Sequence, residues 1–161
     1  MKRIHLHVSV DNLAKSIDFY NTLFGASPTV EKTDYAKWML VNPLVNFAIS
    51  QCGSKVGLDH IGIQVDDNEE LNEIESRLEA SHTGMLSQEG ATCCYAKSDK
   101  YWIQDPSGIP WETYRTLDSS PTFNNASLVA GSEAICSLPT QSVQLNNRKT
   151  KTENDNKSSC C

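Results

Sequence analysis

The chain has 161 residues, a hydrophobic share of 39% and a formal net charge of −6. That length suits one domain with a modest core. The acidic balance, without a clustered Lys/Arg stripe, argues against nucleic acid or an anionic membrane surface as partner, and no stretch is apolar for long enough to span a bilayer. Met1 leads into a strand-like pattern without a long apolar leader, so a cytoplasmic location is expected. In a reducing compartment the six unevenly spaced cysteines are expected as free thiols or ligands rather than structural disulfides.

The run His5-Leu-His-Val-Ser-Val-Asp-Asn12 alternates apolar Leu6, Val8 and Val10 with polar neighbours, which predicts a strand. A helix follows, with Leu13, Ile17, Tyr20, Leu23 and Phe24 on one face and Gly25 as its C-cap. The segment Lys37 to Val41 reads as a strand ending in an Asn42-Pro43 hairpin turn, with a further strand over Asn46 to Gln51. After a link from Gly53 to Gly57 the pattern returns. His60-Ile-Gly-Ile-Gln-Val-Asp-Asp67 alternates Ile61, Ile63 and Val65, and Asp67 and Glu70 have capping-box spacing for a helix with Leu71, Ile74 and Leu78 as its stripe. Lys100 to Gln104 leads into Asp105-Pro106, and a last strand covers Pro110 to Arg115. Two matched blocks in the same order indicate an internal repeat, with modules at 1–52 and 57–116 in an α+β domain ending at 117. Residues 118–161 are rich in Ser, Thr and Asn and are expected to form a disordered tail carrying Cys136, Cys160 and Cys161, with a short ordered piece around Ala126 to Leu138.

The repeat also selects a metal site. His5 and His60 begin equivalent strands, and Glu112 lies on the last strand of the second module, six residues after Pro106. The position six residues after Pro43 is Ile49, which cannot bind metal. Two histidines, one carboxylate and no fourth protein ligand are the pattern of non-haem Fe(II) centres with open positions, although imidazole also suits manganese, nickel and zinc. His7 shares a strand face with His5 and is a rival ligand; the match to His60 selects His5. His82, after the second helix, reads as a surface residue. Cys93-Cys94 has two readings: one buried thiol beside an exposed one, or a two-thiol site. The second needs a bulge or loop, because adjacent strand residues point to opposite faces, and Gly90 would permit one.

The run from His5 to Tyr20 and the segment Asp105-Pro-Ser-Gly-Ile-Pro-Trp-Glu112 resemble the vicinal-oxygen-chelate (glyoxalase/bleomycin-resistance/dioxygenase) superfamily over residues 1–116. That resemblance implies two paired βαβββ modules enclosing a metal site. Asp34-Tyr-Ala-Lys-Trp-Met-Leu40, Asn46-Phe-Ala-Ile-Ser50 and Ala91 to Trp102 more narrowly resemble the organoarsenical carbon–arsenic lyases and cadmium-induced proteins. This implies an Fe(II) dioxygenase, with dioxygen as co-substrate, that cleaves the C–As bond of trivalent methylarsenite and aromatic arsenicals to give arsenite, in arsenic detoxification. His5, His60 and Glu112 would then be the catalytic iron ligands and Cys93 and Cys94 the substrate-binding pair, with a small-molecule organoarsenical as the only partner implied. The competing functions are a non-catalytic cadmium- or arsenite-binding stress protein, an extradiol dioxygenase on a carbon substrate, and a drug-sequestering protein. The terminal cysteines resemble those in tails of this group, and tail thiols would capture trivalent arsenicals.

Overall fold

Each amphipathic element has one apolar side to hide, and the fold follows from how those sides are paired. The computed structural model describes residues 1–53, 55–81 and 84–123. In chain order the elements are β1 (Arg3–Ser9), α1 (Leu13–Phe24), β2 (Val30–Glu31), β3 (Tyr35–Val41), β4 (Leu44–Ser50), β5 (Gly57–Val65), α2 (Asn68–Ala80), β6 (Leu86–Cys93), β7 (Ala96–Gln104) and β8 (Pro110–Ser119). The Asn12 side chain opens α1 by accepting from the Lys15 N–H, and Gly25 closes it at φ 61°. Asp67 opens α2 by accepting from the Glu70 N–H. Glu70 reaches back to the N–H of Asp66, one residue earlier than the regular capping box.

The strands form one mixed sheet in the order β2-β3-β4-β1-β5-β8-β7-β6, curled into a half-barrel. At its centre β1 and β5 are antiparallel, with Leu6 opposite Ile61 and His7 opposite His60. β1 runs parallel to β4, and β5 runs parallel to β8. Read outward from the β1–β5 seam, the two sides have equivalent strand orders, as the paired βαβββ modules require.

The apolar faces are covered in two places. Leu13 packs with Ala36, Trp38, Phe47 and Ile49, flanked by Ile17, Tyr20 and Phe24, while Val65, Leu71 and Ile74 pack with Ile63, Leu78 and Tyr101. Trp38 ties α1 to the sheet, because its Nε1 donates to Asn21 Oδ1 and to the Ala26 carbonyl, each at 3.1 Å. Leu23 departs from the expected stripe and is 61% exposed. At 3.6 residues per turn it lies about 80° around the helix from Leu13, at the edge of the face that Ile17, Tyr20 and Phe24 fill. With apolar side chains gathered there, the inner sheet face keeps His5, His7, Ser9, Asn46, Ser50, His60, Ser98, Lys100 and Glu112, all buried. Burying so many polar groups is costly unless they satisfy one another.

β8 extends past Leu117 to Ser119. The chain then folds back: the Ser120 N–H donates to the Tyr95 carbonyl, and the Phe123 carbonyl accepts from the Cys94 N–H. His82 and residues 124–161, with Cys136, Cys160, Cys161 and the piece around Ala126 to Leu138, lie outside the described residues.

Candidate metal centre and thiol pair

Strand alternation sends His5, His7 and Ser9 inward from β1. His60 comes inward from β5 and Glu112 from β8. The Nε2 atoms of His5 and His60 lie 3.1 Å apart, and Glu112 Oε2 lies 3.7 Å from the first and 3.6 Å from the second. His5, His60 and Glu112 are all buried and form a group that could hold a metal ion.

What surrounds the three donors decides how they point. The Asn46 carbonyl can only accept, so His5 donates to it through Nδ1, at 3.1 Å, leaving the Nε2 lone pair free. His60 Nδ1 donates to Asp59 Oδ1 at 2.6 Å. Neighbours on a regular strand face opposite ways, but the register shifts between His7 and Val8, which pair with His60 and Leu58. Asp59 is the extra residue of that bulge and is turned to the same side as His60. His7 is committed differently: its Nε2 meets Ser50 Oγ at 2.9 Å. Its Nδ1 is buried without a hydrogen-bond partner, 3.7 Å from Asp59 Oδ1. His7 thus belongs to a second donor group with Asp59 and His60, not to the one that includes Glu112.

Room for Glu112 comes from Gly62. His5 and His60 are separated by 55 positions, and the same offset makes Gly62 the counterpart of His7. A Cβ at Gly62 would lie 2.0 Å from the Glu112 carbonyl oxygen. Gly62 pairs with Glu112 as His7 pairs with Ala48, so the counterpart of Glu112 is Ala48, one residue from the expected Ile49. Counting from the prolines fails because the connection before β4 is two residues long and that before β8 is five.

The charges are interlocked. Burial pushes His5 down to about 3 and His7 to about 4. Burial also opposes a charge on His60, but Asp59 and Glu112 outweigh it and lift this imidazole to about 9. Burial likewise opposes ionisation of Glu112, yet the Lys100 ammonium and His60 hold its carboxyl well below the usual range. Lys100 Nζ donates to Glu112 Oε1 at 2.6 Å, with both side chains buried. Removing either partner of such a pair costs about 3–5 kcal/mol, because an uncompensated charge is left inside. The donor set fits a divalent cation: the outer nitrogens of His5 and His60 are already committed, and a metal would displace the proton that His60 carries.

The thiols meet at a turn. Cys93 ends β6 and pairs with Ala96, which begins β7. The two residues between, Cys94 and Tyr95, have φ of 57° and 61°. Positive φ at both central residues is the signature of a type I′ hairpin, usually Asn-Gly. Side chains there cost about 1–2 kcal/mol per residue. The conformation brings the two sulfurs to 3.1 Å, too far apart for a disulfide bond. Tyr95 Oη donates to Asp34 Oδ1 at 2.6 Å, and its ring packs against Tyr35 and Phe123, which holds the turn in place. Gly90 does sit in a bulge at φ 57°, but the turn and not the bulge joins the thiols. The hydrogen bond from Cys94, together with the Lys100 charge, lowers the Cys93 pKa against the effect of burial, while Cys94 is raised well above the ordinary thiol value.

A small cavity of about 30 Å³ is lined by Cys93, Cys94, Lys100, Glu112 and His5, with Tyr35, Lys37, Asn46 and Tyr114 among its other walls. A larger open groove at the start of α1, about 490 Å³, contains none of these groups. Asp59, Gly62 and Lys100 escaped the reading of the sequence. The only signals were an acid directly before a candidate ligand, a glycine inside a strand pattern, and a lysine in the segment that carries the cysteines.

A family model described as the Glyoxalase/Bleomycin resistance protein/Dioxygenase superfamily matches residues 2–113. A trivalent organoarsenical cleaving enzyme from Bacillus sp. (strain MD1) is 46% identical over 123 residues, or 72% of this chain and 74% of that protein. Cadmium-induced protein CadI from Mycobacterium bovis is 33% identical over 128 residues, or 78% of this chain and 83% of that one. Homoprotocatechuate 2,3-dioxygenase from Arthrobacter globiformis superposes with a TM-score of 0.55 at 19% identity, over 71% of this chain and 36% of that one. At that identity the likeness is one of fold.

Proposed function

The chain belongs to the glyoxalase/bleomycin resistance protein/dioxygenase superfamily, and on that premise we propose that it is an Fe(II)-dependent dioxygenase that cleaves the carbon–arsenic bond of trivalent organoarsenicals. Its iron ligands are His5, His60 and Glu112, its substrate ligands are Cys93 and Cys94, and its working compartment is the cytoplasm. The observation that carries this reading is one cavity shared by two convergent thiols and by donors of the candidate metal group. The relative at 46% identity, named as a trivalent organoarsenical cleaving enzyme, supports the choice of substrate.

Trivalent arsenic is soft and prefers thiolates to oxygen ligands. Docking exchanges two arsenic–oxygen bonds for two arsenic–sulfur bonds, and the displaced hydroxides leave as water with the thiol protons. The carbon substituent is the third bond and is held beside the metal group. The turn preorganises both sulfurs, so little ordering is left to the substrate. Lys100 and Tyr114 line the wall, and the Asn46 side-chain amide donates to the Tyr114 hydroxyl oxygen at 2.6 Å. Tyr35, buried, forms part of the cavity wall, and the buried Trp102 ring stands edge-on to that of His60, with centroids 5.0 Å apart. Iron, when bound, supplies the activation of dioxygen that spin-paired organic groups cannot provide.

The test is turnover of methylarsenite by the Fe(II)-loaded protein, with and without air, read as arsenite formed. Activity is expected only in air. The Cys93→Ser/Cys94→Ser variant is expected to bind iron normally and to lose organoarsenical binding and turnover. Turnover retained in that variant would overturn the arsenical reading in favour of a carbon substrate. Arsenical or cadmium binding without turnover would favour a soft-metal-binding protein.

A further inference from the structure

The two oxygens of Glu112 have different surroundings. Oε2 faces the Nε2 atoms of both His5 and His60. Oε1 is held by Lys100 Nζ at 2.6 Å. Lys100 stands on the inner face of β7, buried, with its Nζ 5.8 Å from the centre of the Trp102 ring. β7 pairs directly with β8, where Trp102 is opposite Glu112.

We propose that Lys100 is a positioning residue that keeps Glu112 a one-oxygen ligand and so preserves an open position at the metal. The inference rests on the reading of His5, His60 and Glu112 as metal ligands. A carboxylate binds cations through one oxygen or two. Coordination through both would occupy a position that dioxygen or substrate needs. A charge-assisted hydrogen bond as short as that from Lys100 removes Oε1 from the competition. Turning Oε1 toward the histidines would break this bond and leave a buried ammonium unpaired. The same β6–β7 hairpin carries Cys93 and Cys94 at its turn. One element therefore presents the thiols to the cavity and sets the orientation of the carboxylate ligand.

Co(II) is the probe, because its visible absorption weakens as coordination number rises. The full chain is titrated with Co(II) and then with azide as an external ligand. Wild type is expected to bind Co(II), with binding lost in His60→Ala. Lys100→Met is expected to show weaker visible bands and about tenfold poorer azide affinity, the scale typical of lost outer contacts at metal sites. Lys100→Arg and Lys100→Gln still donate to Oε1 and are expected to restore the wild-type spectrum. Infrared difference spectra of the Co(II)-loaded wild type, with labelled glutamate, decide the matter even if Lys100→Met fails to fold. The carboxylate splitting of one-oxygen ligation supports the inference, and that of a two-oxygen chelate overturns it. A folded Lys100→Met protein with unchanged spectrum and azide affinity also overturns it. Failure of wild type to bind Co(II), or binding that His60→Ala leaves intact, overturns the ligand assignment and the role of Lys100 together.

Discussion

His5 and His7 lie two residues apart on one strand face, yet their ring nitrogens meet different partners. The repeat singled out His5 through its match with His60, and alternation alone left His7 in contention. The separation comes from contacts across the sheet: Asn46 takes the outer nitrogen of His5, while Ser50 takes Nε2 of His7. His60→Ala and Glu112→Ala are therefore each expected to abolish Fe(II) binding, measured by equilibrium dialysis. His60→Ala is expected to keep the circular dichroism of the fold, and Glu112→Ala to lose about 3–5 kcal/mol in urea unfolding because Lys100 is left unpaired. His7→Ala is expected to retain most of the binding. Iron lost in His7→Ala but kept in His5→Ala would reverse the assignment. Asp59 was hidden for a physical reason, because a strand pattern places neighbours on opposite faces and only the bulge turns Asp59 to the side of His60.

At the scale of elements, helices were more legible than the turn. Caps at Gly25 and Asp67 act through local hydrogen bonds, so residue type and spacing reveal them. The Cys94-Tyr95 turn has none of the usual residues for positive φ, and its conformation is held by contacts with Asp34, Tyr35 and Phe123, distant in sequence. The join between α1 and the first half of the sheet depends on Trp38, which is fully buried. Trp38→Ala removes a large core side chain and the donor to Asn21 and Ala26. It is expected to destabilise the protein by about 3–5 kcal/mol in urea unfolding. A loss below about 1 kcal/mol would mean that this cluster does not hold the helix to the sheet.

For the whole molecule, the buried histidines set the pH dependence of the metal-free protein. His60 is raised from 6.5 to about 9, so its charged form contributes stability that is complete below 6.5 and lost as pH rises through about 9. His5 and His7 are lowered from 6.5 to about 3 and about 4. Their contribution is present above 6.5 and lost as pH falls through the folded values, because the unfolded chain takes up protons that the native state refuses. The urea midpoint of the metal-free protein is expected to be highest near pH 6.5; a midpoint that rises steadily to pH 9 would contradict the charged His60. The chain end calls for a cut placed by structure. Truncation after Leu117 removes the end of β8 and the Ser120 and Phe123 contacts to the turn, whereas truncation after Phe123 spares them. If tail thiols capture substrate, as a tether giving effective concentrations on the order of mM would allow, the second truncation should lower turnover at limiting methylarsenite only. Unchanged profiles at both limiting and saturating substrate would leave the tail without a catalytic part.

By itself the sequence determined the repeat, the periodicity of its strands and helices, and the histidine pair and carboxylate brought together at the centre. These are properties of local spacing, and a two-fold repeat converts one position into its mate. The tertiary structure decided what spacing cannot carry. Gly62 makes room for Glu112 because β8 approaches closely there, Lys100 holds one oxygen of Glu112 because β7 lies beside β8, and the cysteines converge because the sheet and the returning chain hold a costly turn. Each depends on partners far apart in the chain, whose contact energies exist only once the sheet has closed around them.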